Sequence, residues 1–382
     1  MHNKCLVGLL ALALSLFLMA HNARALDMNE LERLDPNMAV QTAESELAWY
    51  DATKLPVEGK GWSDTEAFYH RLPAKAKGVV RDAVWSLSTR SAGLCVRFAT
   101  DADPIAARWT LTSDNLAMNH MPATGVSGLD LYVKDGGAWR WIGVGRPSAQ
   151  TNEVRLAGGI PKGAHEYALY LPLYNGTTSL EIGIPPQASI APAPVRPGDQ
   201  AKPICFYGTS ITQGGCASRP GMAYAAILGR MLDWHTINLG FSGNGQMEME
   251  LEALLAELDA AVYVLDCLPN LNPERITERT EPFVKALREA RPDTPIVLVE
   301  NIPYQAGYFL PAPREAYQSK NQALRAAYER LEADGVPGLT YVPCDDLLGH
   351  DGEATVDGTH FTDLGYLRYA KALEPILRGL LK

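Results

Sequence analysis

The 382-residue chain has little cysteine, six residues in all, and too little positive charge to balance its acids: 34 Lys and Arg face 44 Asp and Glu, a formal charge of -10. No run of Lys or Arg occurs, so a basic face for nucleic acid or anionic membrane is not expected. There is no Walker loop and no G-x-G-x-x-G, and no His, Cys or Asp group has metal-ligand spacing, so neither cofactor nor metal is implied. Internal repeats and low-complexity tracts are missing too. Beyond the first 20 residues no apolar run is long enough to span a membrane. What the chain does have is core material: 47% hydrophobic against 20% charged side chains marks a folded globular protein, long enough for two domains.

The N-terminus carries Lys4, an apolar stretch from Cys5 to Ala20, and Ala23-Arg24-Ala25. An A-x-A site after a short apolar run reads as a secretory signal peptide cleaved after Ala25, shorter than the ~20 residues of a membrane anchor. The protein is therefore expected to be secreted or periplasmic. Removal of 1–25 leaves Cys95, Cys205, Cys216, Cys267 and Cys344, an odd set in a compartment that permits disulfides.

After an acidic lead-in from Leu26, the chain to residue 184 consists of short runs of β-branched and aromatic residues broken by Gly, Pro, Asn and Asp. Examples are 83–88, 94–98, 107–111, 129–133, 139–142, 166–170 and 179–184. Many short strands predict an all-β sandwich of jelly-roll type over 26–184, with Asp135-Gly136-Gly137 as a hairpin turn. Residues 185–203 hold six prolines, from Pro185 to Pro203, and read as an extended connector. From 204 to 382, strands at 204–207, 236–239, 261–266, 296–300 and 340–342 alternate with amphipathic helices at 222–232, 247–258, 273–290, 314–333 and 364–381. That alternation predicts an α/β domain with a parallel sheet covered on both faces, whose ligands sit at the carboxyl ends of the strands.

Chemistry-bearing residues collect at those ends. The first strand runs into Gly208-Thr209-Ser210-Ile211, the second into Phe241-Ser242-Gly243, the third into Asp266-Cys267-Leu268-Pro269-Asn270, and Asp357-Gly358-Thr359-His360 opens the last helix. Acyl transfer needs this set: a nucleophile, a base, a group that orients the base, and donors for an oxyanion. His360 lies three positions after Asp357, so the carboxylate can accept from the imidazole Nδ1–H while Nε2 faces a hydroxyl. Taken singly, Gly208-Thr209-Ser210 also fits a phosphate-binding turn and Asp357-Gly358-Thr359-His360 a capped helix start. Their order along the strand ends favours catalysis.

These residues resemble the blocks of the SGNH, or GDSL-like, hydrolases, whose fold is a five-stranded parallel sheet between helices. The resemblance covers the half of the chain after the connector. It implies Ser210 as nucleophile, His360 as general base oriented by Asp357, and an oxyanion hole of the Ser210 and Gly243 N–H groups with the Asn270 side chain. The family's Gly-Asp-Ser-Leu is Gly208-Thr209-Ser210-Ile211 here, and its Gly-x-Asn-Asp is Leu268-Pro269-Asn270-Leu271, so Asn272 is the alternative amide. Gly128-Leu129-Asp130-Leu131-Tyr132 resembles the G-x-D-L-Y motif of an N-terminal domain in a secreted branch of these esterases.

The expected activity is a carboxylic ester hydrolase, with an acetylated glycan or small acyl ester as substrate by analogy. The alternatives are a lipid esterase or thioesterase, and a carbohydrate-binding protein with an inactive hydrolase domain. Arg219, His120 and Asn175 are candidate substrate contacts. Cys216 and Cys267, near the nucleophile turn and Asn270, are a candidate disulfide. Trp139 and Trp141, at alternate positions, read as core, and Asn175-Gly176-Thr177 is a glycosylation sequon.

Overall fold

The structure is a computed structural model and describes residues 47–381. The expected signal peptide and nearly all of the acidic lead-in lie outside the described residues. No described helix is long and apolar enough to cross a membrane.

The N-terminal half forms two antiparallel sheets. The four-stranded one has the order β1 (Ala48–Asp51), β9 (Thr177–Ile184), β4 (Ile105–Leu111), β7 (Thr151–Ala157). The six-stranded one runs β10 (Ile190–Pro192), β3 (Cys95–Thr100), β8 (His165–Tyr170), β5 (Leu129–Asp135), β6 (Ala138–Gly145), with β2 (Val57–Glu58) also paired to β3. Alternation drives their packing: Ile105, Ala107, Trp109 and Leu111 of β4 meet Val96 and Phe98 of β3 and Tyr167 and Leu169 of β8 in one buried core. The expected hairpin is present, and Gly136 and Gly137 take the positive φ of 55° and 81° that such a turn requires. One expected strand is corrected: Asp82–Ser88 is a helix. Val84 and Ser88, four apart, are buried on one face, and Val84 joins the core of the α/β half, so tertiary contact decided against the local β-branched signal.

The C-terminal half is a five-stranded parallel sheet ordered β12 (Thr236–Gly240), β11 (Ile204–Gly208), β13 (Val262–Asp266), β14 (Ile296–Val299), β15 (Leu339–Val342). Side chains of β11 alternate between two cores. Ile204 and Phe206 pack with helices Tyr224–Leu232 and Asp363–Leu380, while Cys205 and Tyr207 pack with Met249–Leu255, Pro273–Ala290 and Pro311–Ala333. The register places Gly208 opposite both Gly240 and Asp266, so three strands end level with one another beneath the candidate site.

The connector is not wholly free of structure. Ile190–Pro192 adds to the sheet edge against β3, where a proline costs no ladder bond. Arg196 then ties Glu58 of the sandwich, at 2.6 Å, to the Asp233 carbonyl of the α/β half, also at 2.6 Å. The G-x-D-L-Y motif forms a second joint. Asp130, fully buried, accepts from Arg219 Nη1 at 2.7 Å, Gly221 N–H at 2.8 Å and Trp141 Nε1 at 2.8 Å. Gly221 has no alternative there, because a Cβ would lie 2.5 Å from the Tyr132 ring. Trp141 is thus corrected from core to joint, lying outward under the Arg219 guanidinium, while Trp139, half-buried, packs against the cluster of Cys95, Tyr132, Ala168 and Tyr170 and donates to Asp233.

Candidate active site

β11 delivers Ser210 through a tight cap. Thr209 Oγ1 accepts from Ile211 N–H at 3.2 Å and Thr212 Oγ1 from Thr209 N–H at 3.3 Å, which starts the short helix Ser210–Gln213. Gly214, at φ 110°, ends it. As the first helical residue Ser210 has an N–H with no intrahelical acceptor. The turn is braced from both sides: Tyr366 donates its hydroxyl to Gly215 O at 2.8 Å, and Tyr174, from the sandwich, donates to Ser210 O at 3.3 Å.

The loop before helix Asp363–Leu380 places Asp357 and His360. Asp357 Oδ1 accepts from the His360 N–H at 2.8 Å and Oδ2 pairs with His360 Nδ1 at 2.7 Å. With the Nδ1–H donated to Asp357, Nε2 is left as an acceptor, and it sits 2.8 Å from Ser210 Oγ. Burial raises the Asp357 carboxyl, but the backbone N–H and imidazole of His360 outweigh it and hold the group below the usual carboxylate range. Asp357 therefore stays ionised and able to stabilise an imidazolium. Gln305 steadies the loop by accepting from Thr355 N–H at 3.1 Å and donating its own N–H to Gly358 O at 3.0 Å.

Gly243 follows β12 at φ 70°, a left-handed position that suits glycine. Its loop is set by Gln213, whose Oε1 accepts from Ser242 N–H at 3.0 Å while its Nε2 donates to Leu173 O of the sandwich at 3.1 Å. Arg71, fully buried, donates to the carbonyls of Asn238 and Gly240 at 3.0 and 2.8 Å from the other side. Asn270 ends the turn Leu268–Asn270. Its amide is satisfied when Oδ1 accepts from Asn244 and Gly245 N–H at 3.0 and 3.1 Å, an orientation that turns Nδ2 away from them. Asn272 instead caps helix Pro273–Ala290 by accepting from Arg275 N–H at 3.0 Å, which leaves Asn270 as the amide at this edge.

The other expected residues separate. His120 reaches the site from the sandwich, its ring 5.9 Å from that of His360. Arg219 is committed to Asp130 and Tyr132. Asn175 is corrected from substrate contact to a buried loop pin: Oδ1 accepts from Thr112 Oγ1 and Ser113 N–H, and Nδ2 donates to Ser113 O. The same burial keeps its sequon from solvent. The Cys216–Cys267 disulfide is also corrected. Both are free thiols: Cys267 donates to Tyr207 O at 3.6 Å, while Cys216, at φ 70°, lies with His120 and His360, ligand atoms all within 4.8 Å. Burial and the nearby Asp357 push the Cys216 thiol up to about 12. Sequence spacing gave no signal for this cluster, since its members lie on three distant segments.

Residues 201–378 match the GDSL-like lipase/acylhydrolase family, and residues 47–190 match the GxDLY domain, the N-terminus of SGNH hydrolase-type esterases. A solved GDSL-like lipase from Bacteroides ovatus is 39% identical over 88% of this chain and 98% of its own, with a TM-score of 0.83. The chain belongs to the GDSL-like, SGNH-type esterase family. Two more distant structures share the fold of this GDSL-like chain. One is a salicylyl-acyltransferase from a tetracycline biosynthetic pathway (19% identity, 89% and 98% coverage, TM-score 0.69), the other a family two carbohydrate esterase from Cellvibrio japonicus (16%, 88% and 98%, 0.56). No curated protein matches. Within the GDSL-like family the Thr209 variation has a physical reading, because Thr caps a helix as Asp does. Leu271, where the family pattern has an acid, is buried in the α/β core.

Proposed function

We propose that this GDSL-like hydrolase is a secreted serine esterase that removes acetyl groups from carbohydrate hydroxyls. The observation that carries the reading is the chain of contacts from Ser210 Oγ through His360 to Asp357, at 2.8 and 2.7 Å. Ser210 Oγ attacks the ester carbonyl carbon while its proton passes to His360 Nε2, and Asp357 stabilises the imidazolium. The carbonyl oxygen becomes an oxyanion, held by the N–H groups of Ser210 and Gly243 and by Asn270 Nδ2. Collapse breaks the bond to the sugar oxygen, which leaves with the His360 proton. Water repeats the sequence on the acyl-enzyme and releases acetate.

His120 and Asn119 beside the relay favour a hydroxyl-rich leaving group over a lipid, and a carbohydrate esterase shares the fold. The A-x-A pattern at Ala23–Ala25 supports export. The test compares parent and Ser210→Ala on p-nitrophenyl acetate, butyrate and octanoate, with acetate release from acetylated xylan in parallel. The parent should favour acetate and the variant should lose at least about a thousandfold in kcat with its fold intact. A variant at the parental rate, or a parent selective for octanoate, would overturn the proposal.

A further inference from the structure

We propose that His120, Cys216 and His360 form an inhibitory site for a borderline-soft divalent cation of the Zn²⁺ type. Their ligand atoms lie within 4.8 Å of one another. Zinc holds nitrogen and sulfur at roughly 2.0–2.3 Å, with its ligands spread tetrahedrally, so side-chain rotation over a short distance gathers all three around one ion. Two imidazoles and a thiolate are the mixed set that zinc accepts.

Both rings are already oriented for this. His360 Nδ1 is engaged by Asp357 Oδ2 at 2.7 Å and His120 Nδ1 by Asn119 Oδ1 at 2.7 Å. An Nδ1–H donated to an oxygen leaves the Nε2 lone pair for a metal, as outer-shell oxygens do in established zinc sites. The three groups come from the sandwich, the segment after the nucleophile turn and the loop before the last helix, so only the assembled fold brings them together. His120 is exposed and Cys216 buried, which opens the site to solvent on the His120 side. Binding forms one Zn–S and two Zn–N bonds and releases the Cys216 thiol proton to solvent. Water fills the fourth position, and no oxidant is needed.

The ion and Ser210 would then compete for the same lone pair, because His360 Nε2 is also the acceptor 2.8 Å from Ser210 Oγ. Inhibition of hydrolysis rests on the esterase reading above; binding of the ion does not.

The experiment titrates the full chain with ZnCl₂ by calorimetry and follows p-nitrophenyl acetate hydrolysis under the same conditions. One ion per chain is expected, with inhibition tracking occupancy and reversed by EDTA. Cys216→Ser should keep its hydrolysis but bind zinc and respond to it at least about tenfold more weakly. His120→Ala, on an exposed loop, should also lose affinity, and Co²⁺ added to the parent should show thiolate-to-cobalt absorption that Cys216→Ser lacks. Zinc binding by a chain with no hydrolysis would retain the site and remove the esterase reading. No zinc binding by the parent, or equal affinity in parent, Cys216→Ser and His120→Ala, would overturn the site.

Discussion

The buried carboxylate of Asp130 holds the guanidinium of Arg219 at 2.7 Å, and through it the sandwich grips the segment that follows the nucleophile turn. The same carboxylate also serves Gly221 N–H and Trp141 Nε1. Removing one side of such a pair leaves the other charge in a desolvated place without compensation. Asp130→Ala should therefore cost on the order of 3 kcal/mol in urea unfolding. Arg219→Ala should cost a comparable amount, because it leaves the fully buried Asp130 carboxylate without its counter-ion, and the double variant should be clearly less than additive. Strict additivity would mean the two residues act independently.

Asn270 and Asn272 lie two positions apart and should fail differently. In the proposed mechanism Asn270→Ala removes an oxyanion donor, and it is expected to lower kcat by about a hundredfold or more with KM little changed. Asn272→Ala removes a helix cap and should lower stability by about 1 kcal/mol while kcat stays near the parental value. Steady-state kinetics paired with thermal unfolding distinguishes the two, and a reversed pattern would make Asn272 the amide of the site.

Asp266 ends β13 beneath the nucleophile turn. Burial raises its carboxyl to about 6 against the hydrogen bond from the Tyr224 hydroxyl, 3.0 Å away. In the unfolded chain the group titrates near ~4, so the folded form binds the proton more tightly. The stability this confers is complete below about pH 4 and is lost as pH rises through about 6. Asp266→Asn should flatten the stability profile between those values and raise stability at pH 8 by on the order of 2 kcal/mol. Chemical denaturation from pH 4 to 8 reads the difference, and a slope unchanged in the variant would contradict it.

Arg71 donates to the carbonyls of Leu87, Arg90, Asn238 and Gly240. Arg71→Met removes one donor from each of those carbonyls, two of them in fully buried contacts, and should cost about 3 kcal/mol or more. Because two of them lie on the strand leading to Gly243, kcat should fall as well, which a purely peripheral support would not produce. A variant destabilised but with parental kcat would separate Arg71 from the site.

The parallel sheet was legible because its strands are apolar on both faces and its helices are long and periodic. The juxtaposition of Ser210, Asp357 and His360 was legible because each sits at a strand end or on a short loop, where the local sequence fixes its place. The misjudged residues depended on partners outside their own segment of sequence. The segment 82–88 became a helix where Val84 met the α/β core, Asn175 was consumed by Thr112 and Ser113, and Trp141 turned outward to Asp130. The His120, Cys216 and His360 grouping spans both halves, so no local pattern could announce it.

The contacts of Tyr174 with Ser210 and of Leu173 with Gln213 make the two halves poor candidates for separate use. A fragment cut at the connector would keep Ser210, His360 and Asp357 yet lose the contacts from the sandwich that steady the Ser210 turn. For anyone transplanting this activity onto another scaffold, the unit to move is the pair, and the sandwich belongs to the enzyme's working parts as much as the sheet that carries the serine.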